Sequence, residues 1–149
     1  MTEAIIRAAV EQDLPEVLNL YRHLHPHDPQ LEMTDAARVW SKLLASGFMT
    51  VIVAQAAEQL VASCTLAIVP NLSRGGRSYG VIENVVTHAD YRSRGLGRRV
   101  LARALEIGWE VDCYKVLLAT GSKRESTLRF YEGAGFERGS KTYFEVRRP

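Results

Sequence analysis

The chain has no apolar stretch long enough to cross a membrane as a helix: the longest, LVASCTLAIVPNL (60–72), has 13 residues against the roughly 20 that a spanning helix needs. It also lacks a strong excess of either charge. The formal net charge of +2 gives no general reason to expect nucleic acid or an anionic surface as partner. Cysteine is scarce: Cys64 and Cys113 sit in apolar contexts with no metal or redox spacing, which suits a reducing compartment. The opening MTEAIIRAAVEQD carries acidic residues and no long apolar core, so it does not read as a secretory leader. Linkers, repeats and low-complexity tracts are missing too. The expectation is a cytoplasmic protein of one domain, residues 1–149, that binds neither membrane nor nucleic acid.

What is present is a mixed pattern of strands and helices. AIIRAAV reads as a strand and EQDLPEVLNLYRHL as a helix with Asp13 as its cap. TDAARVWSKLLAS reads as a second helix, capped by Thr34. FMTVIVAQ and QLVASCTLAIV predict a hairpin around AAEQ, and YGVIENVVT predicts a further strong strand. Leu96, Val100, Leu101, Ala104, Leu105 and Gly108 form a helical stripe. CYKVLLAT predicts a buried strand, and SKRESTLRFYEGAG a helix with a Ser122/Glu125 capping box. FERGSKTYFEVR closes the chain as a strand or hairpin. The fold class is α/β (α+β), with parallel and antiparallel pairings in one sheet.

The segment RSRGLGRRV (92–100) poses an electrostatic problem. Arg92, Arg94, Arg98 and Arg99 crowd the start of a helix, an end that already carries about half a positive charge. An anion resolves the conflict, because the first helical turn also has unpaired N–H groups and glycines allow close approach. A dinucleotide fingerprint fails, since Val100 stands where its third glycine belongs, and no P-loop spacing occurs. What remains is R-x-x-G-x-G, Arg92 to Gly97, with a diphosphate as the natural ligand. An isolated surface helix with solvated arginines is the plainer alternative, and the repeated charge argues against it.

VVTHADYRSRGLGRRVL resembles the pyrophosphate-binding motif of the GNAT superfamily of acetyl-coenzyme A dependent N-acetyltransferases, and RFYEGAGF resembles its second signature. Over about residues 60–136 the chain is most similar to glucosamine-6-phosphate N-acetyltransferases. The resemblance implies the GNAT fold, a mixed central β-sheet flanked by about four helices. It implies acetyl-coenzyme A as co-substrate, with no metal, and a homodimer. Arg92, Ser93, Arg94, Gly95, Leu96, Gly97 and Arg98 would wrap the diphosphate, with Arg92 and Arg98 nearest and Arg94 and Arg99 farther out or in water. Val85, Val86 and Thr87 would pair their backbone with the pantetheine arm. Family members often carry Asn seven residues before the motif tyrosine; here that position is Arg124, whose guanidinium could instead meet a phosphate.

Acetyl transfer to an amine needs a base for the ammonium, donors for the developing oxyanion and a proton for the thiolate. Glu83 lies in VIENVV, an otherwise apolar strand where a carboxylate needs a partner or a task, and the resemblance gives it an acidic residue's place as base. A structural ion pair is the competing role for Glu83. Tyr131 would protonate the thiolate by resemblance; from helical spacing alone it is a core aromatic. Backbone N–H groups near Val85 and Val86 would meet the oxyanion if the strand is splayed. Arg74, Arg77 and Asn84 are candidates for holding the acceptor, although Arg74 and Arg77 also suit a mobile surface turn. His23, His25 and His27 alternate but lack a full ligand set for a metal. The acceptor is a small-molecule amine, with an amino sugar or its phosphate as the leading class. An aminoglycoside or polyamine, a protein N-terminus or lysine, and a non-catalytic coenzyme A sensor are the alternatives.

Overall fold

A computed structural model describes residues 3–149. Five strands, β1 (Ile5–Ala8), β2 (Met49–Ala56), β3 (Gln59–Val69), β4 (Tyr79–Thr87) and β5 (Val116–Leu118), form one sheet in that order. The first three pairings are antiparallel and the last, β4 with β5, is parallel. Around it lie α1 (Leu14–Tyr21), α2 (Met33–Ala45), a single turn α3 (Ser73–Gly76), α4 (Leu96–Glu110) and α5 (Glu125–Gly133).

Strand β2 shows why the sheet is central. Its Val51 and Val53 pack with Leu14, Val17 and Trp40 under α1 and α2, whereas Ile52 and Ala54 pack with Val100, Leu101 and Ala104 under α4. A strand covered on both faces loses polar alternation and becomes a near-continuous apolar run, as VIVA does. Trp40 anchors α2 further, its indole Nε1 donating to the Glu11 carbonyl at 3.1 Å.

Several local expectations are corrected. Asp13 stands at the start of α1, but its carboxylate turns back to accept from Val10 N–H (2.8 Å) and to pair with Arg7 at 2.7 and 2.9 Å. The paired guanidinium holds the Asp13 carboxyl below its ordinary range. Helix α2 begins one residue before Thr34, after Glu32, so Thr34 is no cap. The Ser122/Glu125 box does not form, because α5 begins only at Glu125; Ser122 Oγ instead accepts from Arg124 N–H (3.3 Å) and donates to Thr127 Oγ1 (3.1 Å). Residues 137–149 pair with no strand, and the expected last strand or hairpin is absent from the described residues.

Two features of β4 open the sheet. β5 pairs with it only from Gly80 to Ile82, so the rest of β4 has no strand on that side. On the other side the register with β3 slips: Thr65 faces Glu83 and Ser63 faces Val86, which sets Asn84 and Val85 opposite one residue, Cys64. Asn84 takes φ +53°, the positive φ found at one kind of β-bulge.

Candidate active site

The gap beside β4 widens into a cavity of about 700 Å³ between β4, the start of α4 and α5. Val85, Val86 and Thr87 form one wall; Arg92, Ser93, Gly95, Leu96, Gly97 and Arg98 form the end; Tyr131 lines the α5 side. The backbone of β4 is aimed into this space. His88 N–H donates to Val61 O at 2.8 Å, and antiparallel alternation then turns the backbone groups of Thr87, and of Val85 beyond it, away from β3.

Helix α4 closes the end with its own N-terminus. Gly95 precedes it at φ +79°, a left-handed conformation that favours glycine, and no neighbour lies within 4 Å of where its Cβ would be. The first intrahelical bond runs from Arg99 N–H to Gly95 O (3.1 Å), leaving the N–H groups of the first turn free for an anion. Gly97 serves another purpose. A Cβ there would meet Phe130 Cζ at 3.1 Å and Thr87 Oγ1 at 3.2 Å, so its missing side chain lets α4, α5 and β4 approach one another.

The crowded arginines are separated by their partners. Arg92 Nε donates to Thr87 O (3.3 Å) and Arg98 donates to Gly133 O at the end of α5, and both still line the cavity. Arg94 turns out: it donates to Asp90 O (3.0 Å) and lies over the Tyr91 ring, 4.8 Å from its centroid. Arg99 reaches back to Ala4 O (3.0 Å) at the opposite end of the sheet order. Arg124 sits just before α5 and is not among the lining residues; Arg129, one turn on, is, and has no protein partner among the described residues. Arg129 opens the RFYEGAGF block, and its place at the cavity follows only from the way α5 packs against α4 and β4.

Glu83 and Tyr131 lie on opposite faces of β4. Thr65, its β-partners Val51 and Glu83, and the α1–α2 core share one face, while Tyr131 packs at the edge of the α4 core. Glu83 is exposed and has no hydrogen bond or ion pair among the described residues, so the structural ion pair weighed from sequence is not formed. The tail passes close by: Glu83 adds to an upward push on the Tyr143 phenol that comes chiefly from Glu145. Burial pushes the Tyr131 phenol up, with Cys64 adding to it, so this hydroxyl stays protonated well above neutral pH. The Cys64 thiol is pushed up to about 12 by burial and lies 3.7 Å from Val100 O, and Cys113 is buried as well. Neither suits an acyl carrier.

The remaining candidates fall elsewhere. Arg77 pairs with Asp112 at 3.0 Å and Arg74 lies over Tyr114 at 5.6 Å, which places both at the far end of α4 from the cavity. Asn84 is exposed at the bulge. His23 lines the cavity mouth, its ring 4.2 Å from that of His88 and its Nδ1 accepting from Ala89 N–H at 3.4 Å, while His25 and His27 are exposed.

A strand opened by a bulge, a helix N-terminus with free N–H groups and a half-buried tyrosine across the gap define an acyltransferase of the coenzyme A type. Residues 14–136 match the acetyltransferase (GNAT) family, and the chain belongs to it. Members of this family use acetyl-coenzyme A, and the chain is an N-acetyltransferase. It is 36% identical over 132 residues to glucosamine 6-phosphate N-acetyltransferase of Trypanosoma brucei brucei, covering 88% of this chain and 87% of that protein. Glucosamine 6-phosphate N-acetyltransferase 1 of Dictyostelium discoideum is 31% identical over 91 residues, 61% of this chain and 56% of that one. A solved structure from Agrobacterium tumefaciens str. C58 superposes with a TM-score of 0.92 at 44% identity, over 97% of this chain and 99% of the other.

Proposed function

We propose that this enzyme acetylates the amine of glucosamine 6-phosphate, or of a closely similar amino sugar, by direct attack on acetyl-coenzyme A in a ternary complex. The observation that carries the reading is the pairing across β4 of an unpartnered carboxylate, Glu83, with a protonated phenol, Tyr131, on either side of a gap. The similarity to the trypanosomal glucosamine 6-phosphate enzyme over most of both chains supports the acceptor.

In this reading the diphosphate sits at the start of α4, on the free N–H groups of its first turn, with Arg92, Arg98 and Arg129 adding positive charge. The pantetheine arm follows the backbone of Val85 and Thr87, which turns away from β3, whereas that of Val86 faces Ser63 of β3. The ammonium loses its proton to Glu83. Its nitrogen then attacks the thioester carbon, the Val85 N–H meets the developing oxyanion, and the C–S bond breaks. The thiolate leaves with a proton from Tyr131, and the resulting phenolate takes the remaining excess proton from the nitrogen as the amide forms. Both cysteines stay outside the chemistry, so no acetyl-enzyme forms.

The reading includes a cytoplasmic homodimer. Tyr143, Phe144 and Val146 are 67%, 86% and 96% exposed, and an apolar run left so open supports a partner that covers it. The experiment that tests the function is a thiol-release assay with acetyl-coenzyme A over a panel of glucosamine 6-phosphate, glucosamine, kanamycin, spermidine and a peptide N-terminus. The reading requires the phosphorylated amino sugar to be the best acceptor, and it falls if another amine is.

A further inference from the structure

Three polar side chains from three elements converge on the α1–α2 face of the sheet at the bulge. Thr65 comes from β3, Asn84 from β4 and Tyr21 from the last turn of α1. Thr65 is 5% exposed, and its Oγ1 is buried without a hydrogen-bond partner. Native interiors rarely leave a hydroxyl in this condition. The polar group facing it is the Tyr21 phenol, which also faces the Asn84 side chain. Packing alone does not call for this arrangement, since valine has the shape of threonine and β2 supplies valines on the same face.

We propose that Tyr21 is an acceptor-binding residue, its phenolic oxygen aligned by Thr65 and Asn84 so that its proton points to an oxygen of the acceptor beside Glu83. This rests on the reading that acetyl transfer takes place at β4. Thr65 and Glu83 are β-partners on one face, so the phenol above Thr65 is placed on the side from which Glu83 works. Once the Thr65 hydroxyl donates to the Tyr21 oxygen, its unmet bond is made and the phenolic proton is directed outward. Asn84 gains from its positive φ here: the bulge turns a residue that regular alternation would send toward α4 into the neighbourhood of Tyr21. Burial keeps the phenol protonated, so Tyr21 acts as a donor and leaves the base's work to Glu83. Two residues further on, in the turn after α1, His23 already lines the cavity.

The test is steady-state kinetics with glucosamine 6-phosphate and acetyl-coenzyme A varied in turn, on Tyr21→Phe, Thr65→Val and the double variant. Tyr21→Phe should raise KM for the amine about tenfold, the effect of one lost hydrogen bond, and leave KM for acetyl-coenzyme A within about twofold. Thr65→Val should raise the amine KM by a smaller factor. The double variant should match Tyr21→Phe, because the threonine acts through the tyrosine. Phenylalanine keeps the ring's packing, and Thr65→Val reads the same contact from below. An amine KM unchanged in Tyr21→Phe, or both KM values rising together with a lowered Tm, overturns the proposal. If the wild type turns over another amine of the panel in place of glucosamine 6-phosphate, the substrate reading fails and the same split on that amine decides Tyr21. If no amine is turned over, both fall.

Discussion

Gly97 on α4 packs its α-carbon against the Phe130 ring of α5, so closely that an added Cβ would lie 3.1 Å from Cζ. The same position holds the helix N-terminus against Thr87, so one contact sets the width of the cavity at the diphosphate end. Gly97→Ala should push α4 and α5 apart, costing about 1–3 kcal/mol of stability through overpacking. Isothermal titration should show coenzyme A binding weakened about tenfold or more, since the donors at a helix end act only over hydrogen-bond distances. Gly95→Ala has open space around it but a strained φ, and should cost about 1–2 kcal/mol by that route.

Glu83 and Tyr131 act on different protons and should fail differently. Tyr131→Phe should lower kcat by about 100-fold or more with little change in either KM, as expected for loss of a general acid. Glu83→Gln should lower kcat/KM for the amine while leaving KM for acetyl-coenzyme A within about twofold. Rates like those of the wild type in both variants would refute the assignment.

Cys64 is buried with its thiol pushed up to about 12, and so carries almost no thiolate at neutral pH. Cys64→Ala should keep kcat within about twofold and lose a kilocalorie or two of stability from the cavity it leaves. Mass spectrometry of enzyme quenched during turnover should find no acetylated cysteine.

Asp13 links the strand β1 to the start of α1 through Arg7, with side chains 11% and 31% exposed. Its carboxyl is held below the ordinary value, first by the Arg7 hydrogen bonds and also by Val10 N–H. A lowered folded-state value means that the unfolded chain binds the proton more readily. The stabilisation is therefore full above the unfolded value of about 3.9 and is lost as pH falls through the folded one. Asp13→Asn should cost about 2 kcal/mol near neutral pH, and the gap to wild type should close on acidification below about pH 4 in urea melts.

Much of this architecture could be read from the chain. The limits of β3 and β4 follow from their apolar runs, and R-x-x-G-x-G marks the start of α4, because a strand, a glycine turn and an amphipathic helix each leave a local pattern. The bulge at Asn84 leaves none. It exists only in the register between two strands, and the sequence of one strand cannot state which residue it faces. Thr142, Phe144 and Val146 alternate as a strand should, yet a strand forms only where another offers hydrogen bonds, and β5 is three residues long. The arginines were legible as a charge conflict, but the relief is shared: Arg94 and Arg99 are held by backbone carbonyls away from the cavity, which leaves Arg92 and Arg98 beside it. Tyr21 reads as core from its helical spacing with Leu14, Val17 and Leu18, and only the unpaired Thr65 hydroxyl beneath it points to another use.

The measurement that bears most directly on the central claim is the rate of N-acetylation of glucosamine 6-phosphate by the purified wild-type chain, followed by mass spectrometry of the sugar product with matched thiol release. The account predicts one acetylated product per thiol and a kcat/KM of roughly 10⁴ M⁻¹s⁻¹ or more, the lower end for enzymes on their own substrates. It also predicts at least about 100-fold preference over spermidine, kanamycin and a peptide N-terminus, the scale of discrimination that buried polar contacts supply. Absence of acetylated sugar phosphate, or faster turnover of any other amine, would contradict it.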